Sequence, residues 1–430
     1  MKNVIQFLKG KLAQNALWMI GAKVYQMAVN LVVSMIMARY LGPSNYGLIN
    51  YAASFTALFA SICSLGLGSV VIHELISGEK KGEILGSAIG MKLLSGFFSV
   101  VTILALAFAL NPGEPLTVTV IFIYSLTLVF QSFDAINTWH QANLRSQVTA
   151  GIHAAGYTAA AVYKIWLLVT QKDVRWFAAS HAVEYALVAV LLLWSYRAGR
   201  PEDQPLRFSL RTGGRLLGKS YHYILSGLMV SVYGQMDRIM LKSMMGEEAV
   251  GYYSAALTIC SMWPFVISAI TDASRPIILT QYKTDTAQYR KNLTRLYSVI
   301  IYVSILAALA ISLLSKLIIR ILYGEAYDPA QGVLCIMSWY VTFSQLGVAR
   351  SIWMVPNGKQ KYEKYIAASG AACNLVLNAV MIPLWGVNGA AIATLVTQIF
   401  TNFIVGFFFP EIRENNFLIL NAFRFWRYLK

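Results

Sequence analysis

Apolar runs about the length of a membrane-crossing helix recur from one end of this 430-residue chain to the other, with short polar joints between them. A helix needs roughly 20 apolar residues to cross the hydrocarbon core. On that ruler the pattern predicts twelve spans, at 17–38, 48–72, 84–110, 117–138, 150–170, 176–196, 220–243, 250–274, 293–314, 330–349, 365–384 and 387–409. The stretch 316–323 either extends the ninth span or lies in the interface. Gly42-Pro43, Asn111-Pro112-Gly113 and Pro356-Asn357-Gly358 mark joints, and only Trp385-Gly386 separates the last two spans.

The pattern also repeats. At an offset of 204 residues, Gly42 falls on Gly246, Gly47 on Gly251 and Ala52 on Ala256. In both copies one apolar run stops at the first glycine and the next starts just after the second. An offset of nearly half the chain points to two related halves, the architecture of many membrane transporters. The expected fold is an all-α membrane protein with about twelve transmembrane helices in two six-helix lobes. An even number of spans per lobe makes the repeat parallel, a pseudo-two-fold along the membrane normal. The expected organisation is an N-terminal lobe at 1–197, a cytoplasmic linker at 198–219, a C-terminal lobe at 220–410 and an amphipathic cytoplasmic tail at 411–430.

Composition agrees. Hydrophobic residues make up 57% of the chain and charged residues 13%, against about 25% charged in soluble domains. The run from Leu17 is too long for a signal-peptide core and reads as a retained first span. Cys63, Cys260, Cys335 and Cys373 lie in apolar segments without metal-ligand spacing and read as packing residues, so neither a metal nor a cofactor is expected. With the N-terminus in the cytoplasm, most Lys and Arg fall in inside loops, among them Lys80, Arg207, Arg211, Arg275, Arg290 and Arg350. The positive-inside rule favours that topology, with both termini cytoplasmic. The net charge of +16 then reflects topology and attraction to anionic membrane lipid, with no nucleic-acid partner.

Ionisable groups inside spans are costly and mark function or a structural pair. Lys23, Lys92 and Lys164 are such groups. Lys23, Gln26, Asn30 and Ser34 recur at helical spacing on one face, Asn50 begins a similar stripe in the second span, and Gln235 and Arg238 lie on the seventh. These stripes predict a polar cavity of net positive sign, suited to an anionic cargo such as a diphosphate head group. The alternatives are interhelical glue for the neutral residues and a structural pair of Lys164 with Glu184. Asp134, His181 and Glu184 are the candidates for ion coupling. No GxxxxGK[ST] motif is present to bind ATP.

Ala38-Arg39-Tyr40-Leu41-Gly42-Pro43 followed by Tyr46-Gly47, then Asp237-Arg238 and Gly251-Tyr252-Tyr253-Ser254-Ala255-Ala256, and later Gly386-Val387-Asn388-Gly389-Ala390-Ala391, together resemble the polysaccharide transporters. These are the Wzx-type O-antigen and oligosaccharide flippases of the multidrug/oligosaccharidyl-lipid/polysaccharide exporter superfamily. The resemblance spans the whole chain. It implies a non-enzymatic flippase in the bacterial inner membrane. Its cargo would be undecaprenyl-diphosphate-linked oligosaccharide, moved to the outer leaflet by alternating access, with polysaccharide polymerase machinery as a neighbour. It places Arg39, Gly42, Gly47, Asp237 and Gly251 in gate or motif positions. Rival readings are a cation-coupled drug antiporter of the same superfamily, which would want acids in its cavity, a lipid II flippase, and a membrane sugar polymerase or glycosyltransferase, which would show a sizeable loop with catalytic residues.

Overall fold

The computed structural model describes residues 11–77, 80–199 and 204–424, and these are helical with no strands. The linker residues 200–203 and the end of the tail at 425–430 lie outside the described residues. Nine helical stretches among the described residues are long and apolar enough to cross a membrane. Two of them, 21–77 and 360–407, are each a pair of helices joined at a glycine with non-helical backbone, Gly42 and Gly386. A further helix, Leu210–Met245, is long enough to span but more polar. With it, the helices make twelve passes.

The first two passes are α1 (Lys11–Cys63), broken at Gly42-Pro43, and α2 (Leu67–Ser77), which follows a turn at Leu65 and Gly66, both with positive φ. α3 (Lys81–Leu110) ends at Asn111, and Pro115 opens α4 (Pro115–Ser125). The fourth pass is not one regular helix. It continues through α5 (Thr127–Gln131), a 3₁₀ turn at Ser132–Asp134, and α6 (Ala135–Ala142). α7 (Ser146–Val169) and α8 (Val174–Gly199) complete the first six passes. The later ones are α9 (Leu210–Met245), α10 (Glu247–Cys260) continued by α11 (Pro264–Thr284), α12 (Thr286–Leu322), α13 (Ala330–Met354) and α14 (Glu363–Ile399). α12 is N-capped by Asp285, which accepts from the Gln288 amide at 2.9 Å, and it runs unbroken to Leu322, so residues 316–322 extend the ninth pass.

The chain divides into two compact units. One holds residues up to Leu41 and from Leu48 to Ser231; the other holds Gly42–Gly47 and Val232 onward. In the first unit, Leu67, Val71, Leu85, Ile136, Trp139, Leu192, Tyr196 and Leu216 form one buried apolar cluster. The segment 204–208 lies against α3, where Gly82, Gly86 and Gly90 recur every four residues and leave a groove. A methyl on Gly86 would press on the Arg207 backbone, and Arg207 N donates to Gly82 O at 3.3 Å. Thr212 Oγ1 donates to Glu83 at 2.6 Å, and Lys219 pairs with Glu74 at 2.5 Å, so the segment joining the halves is strapped onto this unit. Residues 210–219 are already the first turns of α9.

The second unit is built on Leu293, Tyr297, Ile301, Leu346, Trp353 and Ile419, among others. Its tail helix α15 (Arg413–Ala422) packs into that core: Tyr297 Oη donates to Asn415 at 2.6 Å, Arg290 pairs with Glu414 at 2.6 Å, and Leu418 and Ile419 are buried. Arg350 does not sit in a loop, as loop counting placed it. It is 9% exposed within α13 and donates to the Thr401 carbonyl at 3.1 Å, because α13 runs on to Met354 and holds it inside the unit.

Candidate functional site

Within the first unit, α1 and α7 line an open cavity of about 180 Å³, with Lys23 and Gln26 on one side and Ser146, Thr149, His153 and Tyr157 on the other. The α7 residues recur at steps of 3, 4 and 4, so they form one helical face. Lys23 and Gln26 stand three apart and meet: Lys23 Nζ donates to Gln26 Oε1 at 3.1 Å. Lys23 is exposed. Asn30, the next residue of the α1 stripe, is exposed too.

Further into the unit lies a network of charged and polar groups. The 3₁₀ turn in the fourth pass sets Asp134, and Asn137 Nδ2 donates to Asp134 Oδ1 at 3.1 Å. The same Asn137 nitrogen is 3.0 Å from His153 Nε2, which ties Asp134 to the cavity wall. Lys92 lies within electrostatic reach of Asp134. Lys164 is 6% exposed, its amine 3.5 Å from His181 Nε2 and within reach of Glu184. His181 lies against the Tyr124 ring, at 4.7 Å between centroids. Of the three lysines singled out in the sequence, the structure places Lys23 at the cavity, and Lys92 and Lys164 lie within electrostatic reach of Asp134 and Glu184. Asn50 is half-buried in the first unit, and its carbonyl accepts from Ser54 at 2.9 Å; Arg39 is exposed at the end of the first pass.

The second unit holds the glycine motif. Gly42 (φ 71°, ψ 173°) and Gly246 (φ 92°, ψ −175°) have nearly the same backbone, in a region that only glycine readily adopts. Segments 42–47 and 246–251 pack face to face. A methyl on Gly47 would fall 2.9 Å from the carbonyl carbon of Glu247, and one on Gly251 would fall 2.9 Å from that of Pro43. Each contact is the other shifted by 204 residues, so the repeat is symmetric in space as well as in sequence. Ser44 Oγ donates to Glu247 Oε2 at 3.1 Å, Lys242 pairs with Glu247 at 3.5 Å, and Tyr46 lies against Tyr323 and Tyr327.

Asp237 of α9 is 3% exposed and caged by neutral donors from three passes. Tyr253 Oη (2.5 Å) and Thr394 Oγ1 (2.7 Å) donate to one carboxylate oxygen, and Asn374 (3.0 Å) and Asn378 (2.5 Å) to the other. Its neighbour Arg238 donates to Gln235 at 3.1 Å. The sequence reading singled out neither this cage nor the His153 and Tyr157 face. The α7 stripe was present as a periodicity. Asn374 and Asn378 carried only the weaker signal of two amides one helical turn apart. Among the described residues no three His, Cys, Asp or Glu side chains cluster as a metal site would require.

Comparison with known proteins agrees with this architecture. Residues 36–331 match the family described as "Polysaccharide biosynthesis protein". The chain is 19% identical to the capsular polysaccharide biosynthesis protein CapF of Staphylococcus aureus, over 90% of this chain and 96% of that one. It is 22% identical to a putative O-antigen transporter of Escherichia coli (strain K12), over 89% and 92% respectively. The structure of the lipid II flippase MurJ in an inward closed conformation superimposes with a TM-score of 0.76 at 16% identity, covering 96% of this chain and 92% of that chain, which shows a shared fold. With a family match over most of its length and this twelve-pass architecture, the chain belongs to the polysaccharide biosynthesis protein family, as a multi-pass membrane protein.

Proposed function

We propose that the protein is a flippase that carries undecaprenyl-diphosphate-linked oligosaccharide from the cytoplasmic to the outer leaflet of a bacterial inner membrane, with both termini cytoplasmic and no catalytic step. The observation that carries this reading is the exposed Lys23 ammonium, held by a neutral Gln26 at a cavity whose far wall is His153 and Tyr157. A neutral-to-cationic lining attracts a diphosphate and repels the cationic cargo of a drug antiporter. Asn30 and Asn50 are polar contacts for the sugars, and Arg238 is a cation that the cargo meets separately, on the other unit. The paired Gly47 and Gly251, with Gly42, Arg39 and Asp237 nearby in sequence, form the gate. Asp134 and the His181–Glu184 pair are where a coupled proton would bind. Lys92 and Lys164 act on the cargo through those acids rather than by direct contact.

The test is made in cells lacking the chain. Lipid-linked oligosaccharide should accumulate on the cytoplasmic leaflet and be cleared by the wild-type protein. A hydrogen bond to a charged group contributes about 1.5–3 kcal/mol, so Lys23→Ala should slow clearance by roughly tenfold or more. Lys23→Glu should be slower still, since repulsion adds to the lost attraction. Clearance by Lys23→Glu at the wild-type rate, or no accumulation without the protein, would refute the reading.

A further inference from the structure

The wall of the Lys23 cavity contains one titratable group that the proposed function leaves without a task, the half-buried His153. Its state is set from behind. A carboxylate only accepts hydrogen bonds, so Asp134 draws the amide nitrogen of Asn137 toward itself, 3.1 Å from Oδ1. The same nitrogen stands 3.0 Å from His153 Nε2, so Nε2 is the acceptor and the ring proton sits on Nδ1. The ring is therefore neutral, and its one N–H is on the nitrogen turned away from Asn137. The side-chain oxygen of Asn137 is buried without a hydrogen-bond partner among the described residues, so Asp134 and His153 alone orient the amide. Charged and titratable groups surround the ring. Lys23 of α1 lines the opposite side of the cavity, and Lys92 of α3 lies within electrostatic reach of Asp134. Tyr157 stacks on the ring from the same helix at 6.1 Å between centroids, and Glu184 and Tyr185 of α8 lie within reach of Tyr157.

We infer that His153 takes up a proton when a diphosphate enters the cavity, so that the site binds the anion and one proton together. The inference rests on the flippase reading and gives the coupled proton a place one amide away from Asp134. The proton comes from water in the open cavity and adds to the Nε2 lone pair. An N–H there faces the Asn137 N–H, donor against donor, so the Asn137 bridge opens and the Asp134 carboxylate becomes the acceptor for Nε2–H. Nδ1–H then donates to a phosphate oxygen beside the Lys23 ammonium. The imidazolium lies between two anions, the carboxylate behind it and the phosphate in front. Hydrogen bonds of that kind are roughly twice as strong as neutral ones. Without the phosphate, Lys23 is a like charge across the cavity and opposes a second one. Histidine suits the task because its charge changes near neutral pH. By linkage, the anion and the proton favour each other by the same factor.

The purified full chain in detergent would be titrated by calorimetry with dimethyl diphosphate carrying one methyl on each phosphorus. Like a diphosphate esterified at both ends, this probe has no proton to gain or lose near neutral pH, so any proton counted belongs to the protein. Heats measured in buffers of different ionisation enthalpy should show one proton taken up per anion by the wild type. Affinity should rise by up to about tenfold per pH unit as pH falls through the histidine range. His153→Gln keeps a side-chain N–H but cannot charge, and should bind without proton uptake and with a flat pH profile. Asn137→Leu removes the bridge that holds Nε2 as an acceptor, and should move the rise to higher pH. Lys23→Ala should weaken binding at every pH. If the wild type binds the probe without proton uptake, or His153→Gln keeps the wild-type profile, the His153 assignment is wrong while the flippase reading stands. The proton count is made on the wild type, so it decides the matter whether or not a variant folds. If dimethyl phosphate, the charge of a phospholipid diester, binds as tightly with the same proton, the site is a phospholipid seat and the assignment to a diphosphate falls. If the wild type does not bind dimethyl diphosphate at any pH, the anionic-cargo reading fails with it.

Discussion

Alanine at Gly47 and Gly251 tests whether the duplicated motif works as a paired contact. A methyl carbon on Gly47 would lie 2.8 Å from Gly251 N and 2.9 Å from the Glu247 carbonyl carbon; one on Gly251 would lie 2.9 Å and 3.1 Å from the Pro43 carbonyl carbon and Cα. Carbon atoms rest at about 3.5–4.0 Å, so the two segments must part by roughly 1 Å. Every atom in the way is main chain, and no rotamer change relieves the clash. Overpacking costs about 1–3 kcal/mol, and these contacts belong at the upper end. Alanine in a helix returns about 1 kcal/mol relative to glycine. Each single variant should therefore lose about 2 kcal/mol. Once one methyl has pushed the segments apart, the second has room, so the double variant should lose clearly less than the sum, with a coupling of about 1 kcal/mol. Gly42→Ala and Gly246→Ala provide the contrast: neither position has a neighbouring atom within 4 Å. Their cost is backbone strain alone, about 1–3 kcal/mol each, and it should add within about 0.5 kcal/mol. Unfolding of the purified chain in micelles of rising SDS content measures all six variants. Wild-type stability for Gly47→Ala and Gly251→Ala, or simple additivity of the pair, would refute the reciprocal packing.

Three further outcomes follow from the polar interior and one surface pair. Tyr253→Phe removes one of the donors to the Asp237 carboxylate and should destabilise by about 1.5–3 kcal/mol in the same unfolding assay, as a hydrogen bond to a buried charge predicts. Lys164→Met removes the cation within electrostatic reach of Glu184 and should lose up to about 3 kcal/mol, part of it recovered in the Lys164→Met/Glu184→Gln double variant, because an uncompensated buried charge costs more than a missing pair. Arg320 forks onto Asp328 at 3.1 and 2.8 Å and holds that carboxyl below the usual carboxylate range. A lowered folded value gives stabilisation that is complete above the ordinary aspartate value near 3.9 and is lost as pH falls through the folded one. The small difference in unfolding midpoint between wild type and Asp328→Asn should thus be constant from neutral pH to about pH 5 and vanish in strong acid.

The passes were legible because membrane length and polar joints are local properties: Asn111-Pro112-Gly113 and Trp385-Gly386 end helices wherever they stand. The repeat was legible as well, since Gly42 and Gly246 are needed for backbone angles that other residues resist. The docking of residues 204–208 in the Gly82, Gly86 and Gly90 groove was not. A stretch rich in proline, glycine and arginine looks like a free loop unless one knows what lies beneath it. Arg350 escaped for a related reason. Counting charges by loop assigns a cation near the end of a span to water, whereas a buried carbonyl, that of Thr401, satisfies it within the unit.

The charge of the site shows where sequence reading stops. Lys23, Lys92 and Lys164 are equivalent on a hydropathy plot, and each is costly in a bilayer. Their surroundings separate them, and those surroundings come from residues far away in the chain. Asp134 meets Lys92 across 42 positions only because the fourth pass breaks into a 3₁₀ turn beside α3, and Glu184 meets Lys164 only because α7 and α8 pack antiparallel along their length. Two of the three cations therefore lie within electrostatic reach of carboxylates, and the proposed positive character of the cavity rests on Lys23 with its neutral partner Gln26. It follows that reversing Lys23 should change cargo handling without unfolding the chain, whereas altering Lys164 should disturb the fold before it disturbs the cargo.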